Sequence, residues 1–385
     1  MAHATKSSPL HVHPRDIVPG LESSVYVASQ WQLMWWKFRR HRLAMLGGGV
    51  TILIYLIALF VEFLAPYSTD AYHAKHTYAP PQILHWFERT DQGIRLRLYV
   101  YGYKIETDSQ AMRRTFTFDA GEKHYMQFFV RGTPYKLWGL FSMDLHLLAP
   151  KDPDELVHLL GADRMGRDVL SRLIYGTRVS MSIGLIGVAI SFLLGILLGG
   201  ISGYYGGLVD NLIQRFIEFL RSIPTIPLWL GLAAALPPGW PSLRVYFGIT
   251  IILSFLSWTG LARVVRGRFL SLRTEDFVLA ARLGGSSEIR TIVRHMVPSM
   301  LSHIIATLTL AIPQMILSET ALSFLGLGIR PPAVSWGVLL RDAQSVRALS
   351  DAPWLLWPGM IVVVAVLALN FLGDGLRDAA DPYAR

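Results

Sequence analysis

Residues 263–298 read RVVRGRFLSLRTEDFVLAARLGGSSEIRTIVRHMVP and form a polar segment between two long apolar runs, 245–262 and 296–318. The segment contains seven arginines. Short loops so rich in arginine stay on the cytoplasmic side of a membrane. The segment therefore predicts a cytoplasmic loop between two membrane spans, and it sets the expected orientation of the whole chain.

The same segment predicts a short helix at residues 277–287. Ala280 and Ala281 lie on this helix, and such small side chains let the surface of another protein approach closely. Gly284 and Gly285 then end it, because glycine adopts a left-handed helix end without a Cβ clash. We expect a compact, tightly turned element exposed to the cytoplasm.

The spacing of these residues resembles the EAA loop of ABC importer permeases. A glycine stands four positions after the second alanine, a histidine ten positions later and a proline three beyond that. Leu279 occupies the position where the motif has glutamate, and an ordinary basic membrane loop is the alternative interpretation. The resemblance implies a coupling helix that lies in a groove of a cytoplasmic ATPase. The residues assigned to this coupling loop are Glu275, Asp276, Phe277, Ala280, Ala281, Gly285, His295 and Pro298.

The composition excludes an ordinary soluble protein. Hydrophobic residues make up 52% of the 385 residues and charged residues only 16%, whereas soluble domains have about 25% charged. The net charge of +9 sits in blocks beside apolar runs, and no nucleic-acid-binding motif is present, so we expect no nucleic-acid partner. Cysteine is absent, which excludes disulfides and thiolate metal sites. The polar first 30 residues predict no cleavable signal peptide.

The apolar runs predict an all-α polytopic membrane protein with six transmembrane helices and a small β-rich extracytoplasmic insert between helices 1 and 2. Both termini are then cytoplasmic, and the chain lies in the bacterial cytoplasmic (inner) membrane with the lipid bilayer as a partner. The predicted domains are a cytoplasmic tail with an interfacial amphipathic segment (1–42), the first transmembrane helix (43–65), the periplasmic insert (66–160) and the permease core (161–385) with its coupling loop (263–298).

The insert contains no uncharged run near the ~20 residues that a helix needs to cross a bilayer. Its aromatic and β-branched segments predict strands at 95–105, 114–119 and 125–131. Gly121 and residues 132–134 are expected to end strands. We therefore predict a small β-rich domain outside the membrane. It either receives a binding protein or covers the outer mouth of the transporter, and a passive embellishment is the alternative.

Residues 160–182 read LGADRMGRDVLSRLIYGTRVSMS. Aspartates interleaved with arginines predict an amphipathic segment along the outer surface, and no catalytic role is expected for them. The string resembles the motif before the second helix of C-type peptide permease subunits, with Ala162 in place of threonine and Met181 in place of leucine. The residues assigned to this outer motif are Gly161, Asp163, Gly166, Arg167, Asp168 and Arg178.

The later spans offer candidates for a translocation pathway. The second span, 179–209, carries small residues at every fourth position from Ser191 to Gly203, which predicts a close helix–helix approach. Prolines interrupt the third span, and they indicate either a water-lined cavity or a simple kink. We expect Glu319, at the outer end of the fifth span, to snorkel to the interface rather than contact the substrate. The candidate pathway residues are Pro224, Pro227, Gln314 and Glu319.

Two further strings, 321–337 and 373–382, also match the family, and the resemblance covers residues 31–66 and 160–382. It implies a C-type membrane subunit of a dipeptide/oligopeptide/nickel ABC importer. Such a subunit pairs with a homologous B-type permease, two ABC ATPase subunits or domains and a periplasmic or lipid-anchored substrate-binding protein. The chain has no GxxxxGK[ST] phosphate loop, so we predict no enzyme activity and no bound cofactor, with ATP and Mg²⁺ on the partner subunits.

The substrate stays open at this stage. Peptides are the family's commonest cargo, whereas nickel, opines and sugars are alternatives for the same machinery. An ion-coupled secondary transporter is a rival from another class. It requires acidic or polar groups at mid-membrane depth, and the predicted spans are nearly free of them.

Overall fold

The structure, a computed structural model, describes residues 30–90, 93–108 and 113–380. The predicted tail up to residue 29 and the last five residues lie outside this range. The first helices are α1 (Gln30–Arg40), α2 (Arg42–Leu59) and α3 (Val61–Leu64). His41 separates the first two, because its Nδ1 accepts a hydrogen bond from the Ala44 backbone N–H (3.1 Å) and so caps α2.

The insert is a four-stranded antiparallel meander in the order β1–β2–β3–β4. The long strand β3 pairs with β2 along its first half and with β4 along its second half. Strands β3 and β4 contact α3, and Val157, in the chain that leads into the core, packs against Val100 of β2 and Met126 of β3. The strands are β1 (His85–Thr90), β2 (Gly93–Asp108), β3 (Arg113–Leu137) and β4 (Phe141–Pro150).

The strand predictions for the insert were partly wrong. The segments 114–119 and 125–131 belong to one strand, and the register shifts on β3 fall at Gly121 and at Gly132–Pro134. Glycine in a strand often marks a bulge, so here it bends β3 without ending it. The strand β4 was missed, although residues 141–146 alternate apolar and polar side chains.

The core is mostly helical. Within the residues that the structure describes, five helices are long and apolar enough to cross a membrane, and α5 with α6 is a sixth candidate, bent by 83° at a short break. The long core helices are α4 (Val169–Tyr205), α5 (Gly207–Ser222), α6 (Thr225–Ala234), α7 (Ser242–Leu272), α11 (Leu301–Phe324) and α14 (Trp357–Ala380). The short ones are α8 (Asp276–Leu283), α9 (Glu288–Thr291), α10 (Val297–Ser299), α12 (Trp336–Asp342) and α13 (Val346–Asp351).

The predicted close helix–helix approach at the stripe of small residues on α4 is present, and the structure shows that its partner is α7. A Cβ at Gly199 would collide with the Ala262 backbone, and one at Gly203 would lie 2.6 Å from the Phe269 Cβ. In lipid, such close backbone approach supplies the packing energy that the hydrophobic effect cannot. The pair α4–α7 therefore forms the closely packed centre of the core.

Two helices extend beyond the predicted spans. Helix α4 begins at Val169, ten residues before the predicted start, because Asp168 caps it. Helix α7 continues ten residues past the predicted end, to Leu272. Arginine is a good helix former, and Arg266 pairs with Asp210 of α5, so the start of the basic segment stays helical.

Candidate functional site

Helix α8 lies in the segment for which the sequence predicted a cytoplasmic coupling loop. It begins after Glu275, ends at Leu283, and is followed by Gly285 with φ +77°. Val278 is fully buried against Phe269 at the end of α7 and fixes one face of the helix to the core. The predicted tight turn at the second glycine is therefore present, and the helix ends four residues earlier than predicted.

The opposite face of α8 carries apolar side chains into solvent. Leu283 is 89% exposed, and exposed apolar side chains continue beyond the turn. Contiguous exposed apolar groups on a charged loop mark a contact with another protein. We call the following set the coupling surface: Phe277, Leu279, Ala280, Leu283, Ile289 and Val293.

The remaining coupling-loop residues are dispersed around this surface. Glu275 and Asp276 are exposed at the start of α8, and Ala281 is half-buried. His295 is half-buried in a π-helical turn, and Pro298 is exposed within α10. The structure thus brings the α8 residues together on one element and places the histidine and proline on the next.

Two contacts that sequence reasoning missed attach this loop to the end of α4. The Arg282 guanidinium lies over the Tyr204 ring, 4.6 Å from its centroid. The Tyr205 hydroxyl donates to Glu288 Oε2 at 2.7 Å. These contacts join α8 and α9 to the end of α4, the longest helix of the core.

A cavity of about 550 Å³ lies between α4, α5–α6, α7 and α11. Ser257 is the middle residue of α7, and Gln314 lies near the middle of α11, so the cavity lies about half-way along these two helices. We call it the central cavity. Its lining residues are Val188, Ser191, Leu220, Arg221, Thr225, Trp229, Leu256, Ser257, Thr259, Gly260, Leu261, Thr307, Leu308, Ala311, Gln314, Met315 and Ser318.

Of the four candidate pathway residues, Gln314 lines the central cavity. Pro224 and Pro227 are exposed at the α5–α6 break, and their neighbours Thr225 and Trp229 form the cavity wall. The prolines therefore shape the wall by bending the chain. Sequence reasoning did not single out Arg221, the charged side chain among the described lining residues.

The expectation that Glu319 snorkels to the interface was wrong. Its side chain is fully buried, and its carboxylate accepts hydrogen bonds from Ser180 of α4 (3.1 Å) and Ser323 (2.7 Å). Ser180 also accepts a hydrogen bond from the Trp336 backbone N–H. The hydroxyls compensate the buried carboxyl group, so Glu319 ties α4, α11 and α12 together instead of facing the cavity.

The outer motif is a buried junction, so the prediction of a surface-lying segment was wrong. Asp163 is 1% exposed and accepts hydrogen bonds from the Arg167 backbone N–H (3.0 Å) and side-chain Nε (2.7 Å). The guanidinium of Arg172, 2% exposed, also pairs with this carboxylate. Opposite charges compensate one another here, and that compensation permits their burial.

The same junction joins α3, α4 and α12 to the segment that precedes α4. Asp168 caps α4 by accepting the Ser171 backbone N–H (2.7 Å), and Arg178 binds Glu62 of α3 (2.7 Å). Asp342 of α12 lies 3.5 Å from the Arg172 guanidinium, and burial raises the pKa of the Asp342 carboxyl while Arg172 opposes that shift.

Both motif glycines have positive φ, +80° at Gly161 and +74° at Gly166. The backbone at Gly166 approaches the His73 carbonyl so closely that a Cβ has no space. These glycines therefore shape the junction between insert and core. Within the described residues, no group of three or more His, Cys, Asp or Glu side chains is placed to hold a metal ion.

Comparison with known proteins gives two family matches. The family described as "Binding-protein-dependent transport system inner membrane component" matches residues 195–385, and "N-terminal TM domain of oligopeptide transport permease C" matches residues 29–81. Residues 82–194, which include the sheet and most of the outer motif with its following helix, lie outside both matches.

Curated relatives agree with these matches. A dipeptide transport system permease protein of Bacillus subtilis is 38% identical over 234 residues, 60% of this chain and 71% of the relative. An oligopeptide transport system permease protein of Haemophilus influenzae is 39% identical over 243 residues, 63% of this chain and 76% of the relative. A chain of the inward-facing MetNI methionine ABC transporter superposes with a TM-score of 0.43 at 17% identity, covering 55% of this chain and 97% of that chain.

The chain therefore belongs to the family of binding-protein-dependent transport system inner membrane components, in its group of C-type peptide permeases. This confirms the resemblance drawn from the cytoplasmic loop and the outer motif.

Proposed function

We propose that this chain is one of two permease subunits of an ATP-driven importer for peptides or peptide-like solutes in the bacterial cytoplasmic membrane. The observation that carries the proposal is the combination of family membership with a cavity between the long helices and an exposed coupling surface. The permease itself is not catalytic. ATP and Mg²⁺ are bound, and ATP is hydrolysed, by partner subunits.

The proposed topology has six spans, with the bent pair α5–α6 counted as the third. Both termini lie in the cytoplasm and the β-rich insert lies outside. The arginines of residues 263–298 and the basic residues of α1 support this orientation, because positive charge is retained on the cytoplasmic side.

The central cavity is half of the proposed path. A homologous B-type permease completes it on the open side, and a periplasmic or lipid-anchored binding protein delivers the substrate. Closure of the two ATPase subunits pushes α8, and the contacts of Arg282 with Tyr204 and of Glu288 with Tyr205 pass that movement to α4. The core then alternates between outward and inward access.

Reconstitution tests this function. The chain is assembled in proteoliposomes with its partner permease, ATPases and binding protein, and uptake of labelled di- to pentapeptides is measured beside nickel, opines and sugars. We expect peptide uptake that requires both ATP and the binding protein, and that stops when the ATPases carry a substitution in their phosphate-binding lysine. Uptake driven by an ion gradient without ATP would overturn the proposal.

A further inference from the structure

The central cavity is lined by a cationic side chain, Arg221 of α5. Near the start of α5, Asp210 pairs with Arg266 Nε at 2.5 Å. Arg221 follows eleven residues later, about 16 Å further along the helix axis. Its neighbour Leu220 packs with Leu256, near the middle of α7. The guanidinium is therefore separated from the Asp210 carboxylate and lies beside the cavity wall that α7 forms.

The surroundings of Arg221 fit a negatively charged group. Among the described residues that line the cavity, none is acidic, and the polar ones are hydroxyl groups and one amide. Arg221 also lies in the last turn of α5, where the helix dipole favours a cation. A charged side chain in a membrane is costly and marks a functional site when it faces a cavity.

We propose that Arg221, with Gln314 and the cavity hydroxyls, forms a subsite for the carboxylate of the transported solute. Arginine binds carboxylates in a bidentate manner, and such charge-assisted hydrogen bonds are stronger than neutral ones. The apolar wall of Leu256, Leu308 and Met315 accepts the remaining, less polar part of the solute. The substrate class is thus a peptide or similar solute with a free carboxyl terminus, and this inference rests on the proposed transport function.

The test uses the reconstituted transporter and matched peptides with a free or an amidated C-terminus. Arg221→Gln is expected to lower uptake of the free-acid peptide at least tenfold and to leave uptake of the amide unchanged. Arg221→Lys retains most of the free-acid uptake because it keeps the charge. The matched control is Arg215→Gln on the same helix, since Arg215 is exposed and pairs with Glu218, and it is expected to be silent.

The outcomes separate this inference from the proposed function. If the wild-type transporter moves neither peptide with ATP, the proposed function fails. If the wild type transports and Arg221→Gln reduces both peptides equally, or neither, the carboxylate subsite is refuted. Should Arg221→Gln fail to assemble, the preference of the wild type and of Arg221→Lys for acid over amide is compared, and equal uptake of both peptides overturns the subsite.

An independent observation concerns the β3–β4 hairpin of the insert. Its tip turns at Gly139 (φ +73°) and exposes aromatic and aliphatic side chains, with Leu140 75% exposed. Trp138 Nε1 donates to the backbone carbonyl of Leu59, the last residue of α2, at 2.7 Å. We call the following residues the hairpin tip: Trp138, Leu140, Phe141 and Met143.

The hairpin tip continues an apolar face of α2. Residues such as Leu46, Leu53 and Leu56 are exposed along one side of this helix, and Leu59 ends that side. Because the Trp138 side chain is hydrogen-bonded to the C-terminal end of α2, the tip lies where the lipid-facing surface meets the outer headgroup layer. Tryptophan and other aromatic side chains are enriched at that level of a membrane. Arg131 and Lys136, nearby on the same hairpin, are exposed and add positive charge.

We further propose that the hairpin tip rests in the outer lipid headgroup layer and holds the insert against the membrane. The chain has no cysteine, so a single spin label can be placed without background. Leu140→Cys, or Phe141→Cys as a second site, is labelled in the full-length chain within its assembled transporter in lipid nanodiscs. Thr115→Cys, exposed near the opposite end of β3, is the matched control.

The accessibility of the spin labels to relaxation reagents tests this membrane contact. We expect the tip labels to be relaxed more by oxygen, which concentrates in lipid, than by a water-soluble nickel chelate. The Thr115 label should show the reverse. Equal aqueous accessibility at both places refutes the membrane contact, and a tip label inaccessible to both reagents shows instead that a protein partner covers it.

Discussion

The outer junction at residues 160–178 and the coupling loop at residues 275–298 both contain several arginines and both turn at glycines with positive φ, but their surroundings are opposite. In the junction, the chain's own carboxylates pair with Arg167, Arg172 and Arg178, and most of these charges are buried. In the loop, apolar side chains such as Leu283 are exposed beside the charges. A motif whose charges are compensated within the chain stabilises the fold, whereas a motif that exposes apolar groups is available to bind a partner protein.

Removing a junction charge should produce the largest effect on stability. Asp163→Ala leaves the buried Arg172 guanidinium without its principal carboxylate. Breaking one side of a buried ion pair costs about 3–5 kcal/mol. Thermal unfolding of the purified chain should therefore shift strongly downward. Asp276→Ala, an exposed aspartate on α8, is the control and should change stability by about 0.5 kcal/mol or less. Equal melting of both variants would remove the contrast between the two regions.

A backbone change in the loop should have an intermediate effect. Gly285 has φ +77°, and a Cβ added there meets no atom within 4 Å, so Gly285→Val acts through backbone strain of about 1–2 kcal/mol. The variant should insert into the membrane and lose ATP-coupled uptake, measured in the reconstituted transporter. Arg290→Lys is the control and should be nearly silent. Normal transport by a Gly285→Val complex that retains its ATPases would show that the coupling assignment is wrong.

Placing a charge on the coupling surface should leave the fold intact. Leu283→Asp removes no internal contact, because the side chain is almost fully exposed, so its melting temperature should match the wild type. We expect ATPase binding and uptake to fall at least tenfold, which corresponds to about 1.4 kcal/mol. Leu283→Met keeps the apolar surface and should transport normally. A loss of melting temperature without a loss of ATPase binding would contradict a docking role.

The smallest effect should be a pH dependence confined to the insert. Burial, with the neighbouring His158 ring 3.1 Å away, lowers the pKa of His76 to about 4 from 6.5. As the pH falls, a group whose pKa is lowered by folding is protonated at a higher pH in the unfolded chain than in the folded chain. Its contribution to stability is therefore present above about pH 6.5 and is lost as the pH falls toward 4.

Melting temperatures measured between pH 7.5 and 5 test this, and His76→Gln should flatten the decline. His295→Gln, in the coupling loop, should keep the wild-type decline. If both variants behave alike, the pH dependence does not originate in the insert.

The sequence by itself determined the local features. The apolar runs predicted the long helices, the arginines of residues 263–298 predicted the loop, and Gly285 predicted the turn after α8. Each of these features depends on a few consecutive residues. The spacing of small residues also predicted the close helix–helix approach that α4 makes with α7. Alternation at residues 141–146 contained the missed strand β4, and the bulges at Gly121 and Gly132 were mistaken for strand ends because a glycine permits either outcome.

Only the tertiary structure decided which polar groups are compensated and which face a cavity. Arg178 meets Glu62 across 116 residues, and Ser180 meets Glu319 across 139. Arg172 and Asp342 come together from separate helices. Nothing in the local sequence distinguishes these charges from Arg221, which the fold directs into the central cavity. A charge costs little or much according to what surrounds it in three dimensions, and those surroundings come from distant parts of the chain.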